Sequence, residues 1–364
     1  MIGRFVAIAL VFAAAGCSFG NDESSAPSRP ELASGAPLPA RCAQRRVGPD
    51  ATVAFVANGR AWALDPSGRV TCLFAARNAG PFAWGPRGDR ALLAHLQVKG
   101  LPGATSRPPS AVDPSASSWG RPIGKSIVFV ARDGRALLKA HPAGGGFIDV
   151  TPVQCARYER VVYHPSGLAF AFVLRRGGRE SVWISTNRGK TPRRLVHGRL
   201  HTGFDAIAFG EGGTSLYFAA QHVDDRVDIH RLELVGATSA PVAWRGGPAE
   251  HVTDLLPGRG QSFAFTVGRE CRASRAMVVT AHRPRGDALL PDAPARALGW
   301  LDKGHVLVAK GGCGEKLDVY SVATQTLKSR LLVRGVDAAS VRRPEQYPPP
   351  PLAPGVLGAR SSFA

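Results

Sequence analysis

The sequence predicts an all-β fold in which one small strand-rich unit is copied along the chain and closed into a ring. Three observations carry this. Aromatics are only 7% of the residues while Gly and Pro number 42 and 29, which favours many short strands joined by turns over long helices. The apolar runs are four to eight residues long with period two, bounded by turn residues. One phrase recurs: an aromatic strand end, a Pro/Gly turn and a short apolar strand. Its fullest copy is Phe82-Ala-Trp-Gly-Pro-Arg-Gly-Asp-Arg-Ala-Leu-Leu-Ala94.

Other copies are Trp119-Gly-Arg-Pro-Ile-Gly-Lys-Ser-Ile-Val-Phe-Val-Ala131, Val162-Tyr-His-Pro-Ser-Gly-Leu-Ala-Phe-Ala-Phe-Val173 and Ala208-Phe-Gly-Glu-Gly-Gly-Thr-Ser-Leu-Tyr-Phe-Ala219. Leu255-Leu-Pro-Gly-Arg-Gly-Gln-Ser-Phe-Ala-Phe-Thr266 and Gly299-Trp-Leu-Asp-Lys-Gly-His-Val-Leu-Val-Ala309 follow, and a clipped copy opens the series at Gly48. The copies lie roughly 35–46 residues apart, the period of a four-stranded propeller blade. A lone blade exposes apolar faces on both sides, and only radial stacking hides them. The expected architecture is therefore a single β-propeller over residues 42–341, of seven four-stranded antiparallel blades. It has six if the stunted copy interrupted by the Pro/Ser-rich residues 97–118 merges with its neighbour.

In chain order, residues 1–16 read as an export signal. Arg4 supplies the positive start and residues 5–15 an apolar run shorter than the about 20 residues of a membrane span. It ends Ala14-Ala15-Gly16-Cys17, which resembles the lipobox of bacterial lipoproteins. That resemblance implies lipid attachment at Cys17 and a protein held on the outer face of the bacterial cytoplasmic membrane; the segment also suits an ordinary secretory signal. Residues 17–41, rich in Ser, Pro, Ala and Gly, read as a flexible tether. Strands are expected from Thr52 to Ala57 and from Arg60 to Leu64. The turn Asp65-Pro-Ser-Gly68 follows them, with Pro presetting φ and Gly permitting a positive one. Residues 342–364, with Tyr347-Pro-Pro-Pro-Pro351, read as a disordered or polyproline tail.

The repeat resembles that of TolB-like (PD40/WD40-like) propellers, in which an aromatic residue precedes Ser-Pro-Asp-Gly and a later strand carries Asp-Ile-Tyr. Trp84-Gly-Pro-Arg-Gly88 and His164-Pro-Ser-Gly167 match the first half; Asp228-Ile-His230 and Asp318-Val-Tyr320 match the second. The resemblance implies a module that binds proteins or peptides at the channel mouth without chemistry of its own.

The formal charge of +19 comes mostly from Arg, with only eight Lys. It suits anionic partners such as envelope polymers, while export argues against nucleic acid. No Gly-x-Ser-x-Gly elbow is present; Gly260-Gln-Ser262 comes nearest and belongs to a repeat turn. Gly144-Gly-Gly146 lacks the Lys-Ser/Thr of a phosphate loop. The segment His222-Val-Asp-Asp-Arg-Val-Asp-Ile-His230 gathers His222, Asp224 and His230 as candidate metal ligands, but the repeat also explains Asp228 and His230 as structural positions, so no metal or cofactor is assigned. Of the cysteines, Cys271 and Cys313 occupy the same loop type in adjacent blades and are expected to pair, with Cys42 and Cys72 as a second pair and Cys155 left over. The expected function is a monomeric, non-enzymatic binding module for a protein, peptide or anionic envelope polymer. The alternative is a lactonase-like propeller hydrolase or lyase whose site the sequence does not display.

Overall fold

The strand after each repeat turn is apolar at nearly every position, not at alternate ones. Ala169–Arg176 is buried over its first six residues, Ser215–His222 over its first seven and Thr52–Ala57 throughout. A strand with both faces covered needs no polar alternation, and the topology supplies the cover. The computed structural model describes residues 30–39, 52–76, 83–84, 90–92, 98–100, 105–106, 112–119, 126–131, 133–140, 147–197, 201–236, 239–312, 314–342 and 351–357.

The strands form antiparallel sheets, each a meander from an inner to an outer strand. Six are four-stranded. The first runs Ala338–Arg342, Thr52–Ala57, Arg60–Leu64 and Val70–Ala75. The next two begin at Ala83–Trp84 and Val112–Trp119. The fourth comprises Arg157–Tyr163, Ala169–Arg176, Arg179–Thr186 and Arg193–Val196. The fifth comprises His201–Phe209, Ser215–His222, Arg226–Glu233 and Val242–Pro248; it is called the His blade below. The sixth begins at His251–Pro257. The remaining sheet, Ala295–Trp300, His305–Lys310, Leu317–Ala323 and Ser329–Val336, gains Glu31–Leu32 as a fifth strand. The expectation of seven uniform four-stranded blades is corrected there: six blades have four strands.

Alternate side chains of one strand serve two different cores. Leu216, Phe218 and Ala220 pack with Ala169, Ala171, Val173 and Ile184 of the preceding blade, while Tyr217 and Ala219 pack with Phe263, Phe265 and Val279 of the following one. Each buried Phe contributes about 1.5–3 kcal/mol only while the neighbour is present. The ring closes because the last strand completes the first sheet: Ala338–Arg342 pairs with Thr52–Ala57, with Thr52 opposite Arg342 and Val56 opposite Ala338.

Four of the junctions also carry a repeated backbone device. The inner strands bulge just after Tyr158, Phe204, Val252 and Ala297, and a bulge turns a backbone amide out of its own ladder. The four amides donate across the junction, to the Gly134 carbonyl at 2.6 Å, Glu180 Oε2 at 2.8 Å, Asp205 Oδ2 at 3.0 Å and Thr266 Oγ1 at 2.9 Å. At the other end of the blades the His164-Pro-Ser-Gly turn does similar work. His164 Nε2 meets the Gly213 carbonyl of the next blade at 2.8 Å and Nδ1 meets Ser166 Oγ at 2.8 Å. Gly213, at φ +73°, leaves no room for a side chain, since a Cβ would sit 2.5 Å from the His164 ring.

Two segments expected to be free of the ring are not. Glu31–Leu32, within the expected tether, pairs with Arg334 and Val333. In the expected tail, Val356 is fully buried against the core shared by the fourth sheet and the His blade, with Leu352, Ala353 and Leu357 beside it. The Val356 carbonyl accepts a hydrogen bond from Arg193 at 2.5 Å. The apolar residues after the proline run supply the burial that a purely polar tail would lack. The signal segment, Cys17 and residues 343–350 lie outside the described residues.

Glu180 is 5% exposed, and Arg175, its partner, is half-exposed, so water replaces the lost ion pair for Arg175 but not the acceptor for the Phe204 amide. Glu180→Ala is expected to cost about 1.5–3 kcal/mol, read from the urea midpoint. The Tyr158 hydroxyl both accepts from Val153 N and donates to Val153 O, and burial raises its pKa to about 12. The unfolded phenol ionises near 10, so this group's stabilisation is complete below about pH 10 and declines as pH rises toward about 12. Tyr158→Phe should cost about 1 kcal/mol at pH 7 and flatten that decline in pH-dependent unfolding.

Candidate functional site

The antiparallel order places the start of each inner strand, the end of the second and the start of the third at one end of the blade. Arg157 lies opposite Arg175 in the fourth sheet and His201 opposite His222 in the His blade. The blade-to-blade crossovers also arrive there. This crossover face carries the hairpins between second and third strands, with Arg135, Arg176, Arg179, Arg269, Arg272, Lys310 and Lys316 exposed along it. Acidic neighbours partly neutralise its bases: Arg157 pairs with Glu159, Arg275 with Glu250, Arg296 with Asp254 and Lys316 with Asp337.

At the His blade's end of this face, four side chains converge. Period two puts Leu216, Phe218, Ala220 and His222 on one face of their strand, and Asp228, His230 and Leu232 on the matching face of the next. The ladder sets Ala220 opposite Asp228 and Phe218 opposite His230. His222, Asp228 and His230 present ligand atoms that all lie within 4.8 Å of one another. His222 Nε2 is 3.3 Å from Asp228 Oδ2, and the His230 ring stacks on Phe218, 5.1 Å between centroids and 8° between planes. His201, across the ladder from His222, meets His222 and His230 edge-on at 4.9 and 5.7 Å. Burial first, then the neighbouring His222 and His230, pull the His201 pKa down to about 4; burial also lowers His230. Both imidazoles are neutral at pH 7.

The sequence reading is corrected in two places. Asp224 is not in the group: it sits in the exposed hairpin and pairs with Arg226, because residues 223–225 form the turn and only Asp228 has the parity of His222 and His230. His201 was not anticipated. It lies 21 positions before His222, and only the strand register brings the two together.

A Ser–His pair does occur, His164 with Ser166, but both are buried and His164 Nε2 is held by a backbone carbonyl. It braces a turn and offers no nucleophile. Ser262 lies in the repeat turn between Pro257 and Phe263, its amide donating to the Arg259 carbonyl and its carbonyl accepting from Gly258. Among the cysteines, Cys72 is disulfide-bonded, Cys155 is free and exposed, and Cys271 opens a short 3-10 turn, Cys271–Ala273. Cys42 and Cys313 lie outside the described residues.

No family model matches this sequence, and no curated protein matches it. Solved structures match in fold. A prolyl endopeptidase superposes with a TM-score of 0.55 at 14% identity over 80% of this chain and 50% of its own. A puromycin hydrolase gives 0.52 at 14% over 79% and 47%. A structure described as TolB from Agrobacterium tumefaciens gives 0.51 at 13% over 79% and 99%. The chain thus spans about half the length of the two hydrolases and nearly all of the TolB structure. The fold is a TolB-like propeller, and at these identities the likeness is one of fold.

His201 Nδ1 is buried without a hydrogen-bond partner. Its pKa in the folded chain lies below the unfolded value near 6.5, so its contribution is complete above about pH 6.5 and is lost as pH falls toward about 4. In chelator-treated protein, His201→Leu should raise stability by about 1 kcal/mol, since an orphaned polar atom gives way to an apolar one, and should reduce the acid-side loss. Urea titrations at pH 7 and pH 5 check both; lower stability at pH 7 would show the imidazole to be structural.

Proposed function

We propose that this chain is a non-enzymatic binding module, exported and anchored to the outer face of the cytoplasmic membrane through Cys17, that takes a protein, peptide or anionic envelope polymer on its crossover face. The observation that carries the reading is the set of exposed arginines and lysines on four hairpins of that one face. Clustered positive charge concentrates anionic partners and speeds their encounter. The fold likeness to the TolB structure, over almost the whole of that chain, supports reading this chain as a binding propeller. Scattered single bases would contribute little; several on one face can be engaged together by an extended ligand.

The hydrolase or lyase alternative has one observation in its favour, the convergence of His201, His222, Asp228 and His230. Its residues all belong to the His blade and not to several inner strands around the channel, which suits a localised ion better than a substrate held across the ring.

Photo-crosslinkers placed at Arg179 and Arg272 on the crossover face, and at Glu211 in a turn at the opposite end, test the proposal in intact cells. Capture of one partner from the first two positions and not from Glu211 is the expected outcome. No capture from the crossover face, together with turnover of a lactone or glycan panel by purified protein, would reverse the two readings.

A further inference from the structure

We infer that His222, Asp228 and His230 form a binding site for a divalent transition-metal ion of the zinc class, with His201 at its open side. The inference is independent of the binding role proposed above. It starts from an accounting of buried polar atoms. His222 Nε2, His230 Nε2 and His201 Nδ1 are all buried and none has a hydrogen-bond partner. Buried polar groups are nearly always satisfied, and a concentration of exceptions calls for a missing partner. The same chain shows what a purely structural buried histidine looks like: His164, fully buried, has both ring nitrogens engaged, by Ser166 and by the Gly213 carbonyl.

The protonation pattern follows from geometry. His230 Nδ1 lies 3.0 Å from the Ala240 carbonyl. A carbonyl only accepts, so Nδ1 carries the proton and Nε2 keeps a lone pair facing the group. A backbone carbonyl holding the far nitrogen is the usual outer support of a metal-bound imidazole. Arg226 Nε stands 3.4 Å from Asp228 Oδ1 and turns the other oxygen, Oδ2, toward His222. Bonds of about 2.0–2.1 Å to a tetrahedral ion separate neighbouring ligand atoms by roughly 3.3 Å, and His222 Nε2 and Asp228 Oδ2 are 3.3 Å apart. Small rotations of the His230 ring close the remaining gap, since no pair in the trio exceeds 4.8 Å.

The donor set selects the ion. Two imidazoles and one carboxylate suit zinc and its neighbours, whereas magnesium and calcium require mostly oxygen. Arg226 and Arg245 oppose the ion's charge, while Asp228 attracts it from within the group and Asp224 offsets Arg226 from the hairpin. Three protein ligands leave a fourth position for His201 or a water.

The test uses the purified full chain, stripped with chelator and titrated calorimetrically with zinc alone. One equivalent should bind, and His222→Gln and Asp228→Asn should each weaken it at least about 10-fold, the smallest effect typical of altering even a supporting residue. His282→Gln, an exposed histidine in another blade, should change nothing. Equal uptake by all variants, or none by the unmodified chain, would overturn the assignment. Zinc-edge X-ray absorption on the unmodified chain decides the matter even if a variant fails to fold: nitrogen and oxygen neighbours with imidazole scattering are expected, and a sulfur shell from cysteine or a fully hydrated ion would refute it.

Discussion

What holds this molecule together is that no blade can hide its own apolar surface. The second strand of the His blade is apolar on both sides, and its two sets of side chains belong to two different interblade cores, as Phe218 and Tyr217 show. Burial is rewarded only between neighbours, so the fold is stable as a ring or not at all. The closing strand, Ala338–Arg342 on Thr52–Ala57, follows from this constraint: without it two blades would each present an open core face.

The bulges give the stacking a register. Hydrophobic contact is non-directional and would let one blade slide on the next. An amide turned out of its ladder at Tyr158, Phe204, Val252 and Ala297, caught by a fixed acceptor on the blade before, pins the radial position. The acceptors differ, a carbonyl, two carboxylates and a hydroxyl, while the donor position does not vary. The constraint is therefore on backbone geometry and leaves the acceptor free to change.

Much of this was legible beforehand, and the residues show why. His164-Pro-Ser-Gly167 and its copies announced the turn, and the period and strand length announced the blade, because both are local. What depends on register was not legible. Glu180 reads as a surface charge until the bulge at Phe204 is known. Leu32 and Val356 read as parts of polar, Pro-rich segments until an edge strand and a core surface are there to receive them. In the His/Asp group, parity along the strand could have preferred Asp228 to Asp224, since residues 223–225 carry the turn. Nothing local points to His201, which arrives by antiparallel pairing. The result is a propeller whose basic crossover face and internal His/Asp group are separate features, one spread over four hairpins and the other confined to one blade.

Amide hydrogen exchange followed residue by residue tests most directly whether the blades stand only as a pinned ring. The amides of Tyr158, Phe204, Val252 and Ala297 should exchange as slowly as those at the centre of the second strands, Phe172 and Phe218 among them, because opening any one of them requires separating two blades. Exchange at those four positions as fast as in the exposed hairpins, with the second strands still protected, would show that each blade holds its own structure and would contradict the account.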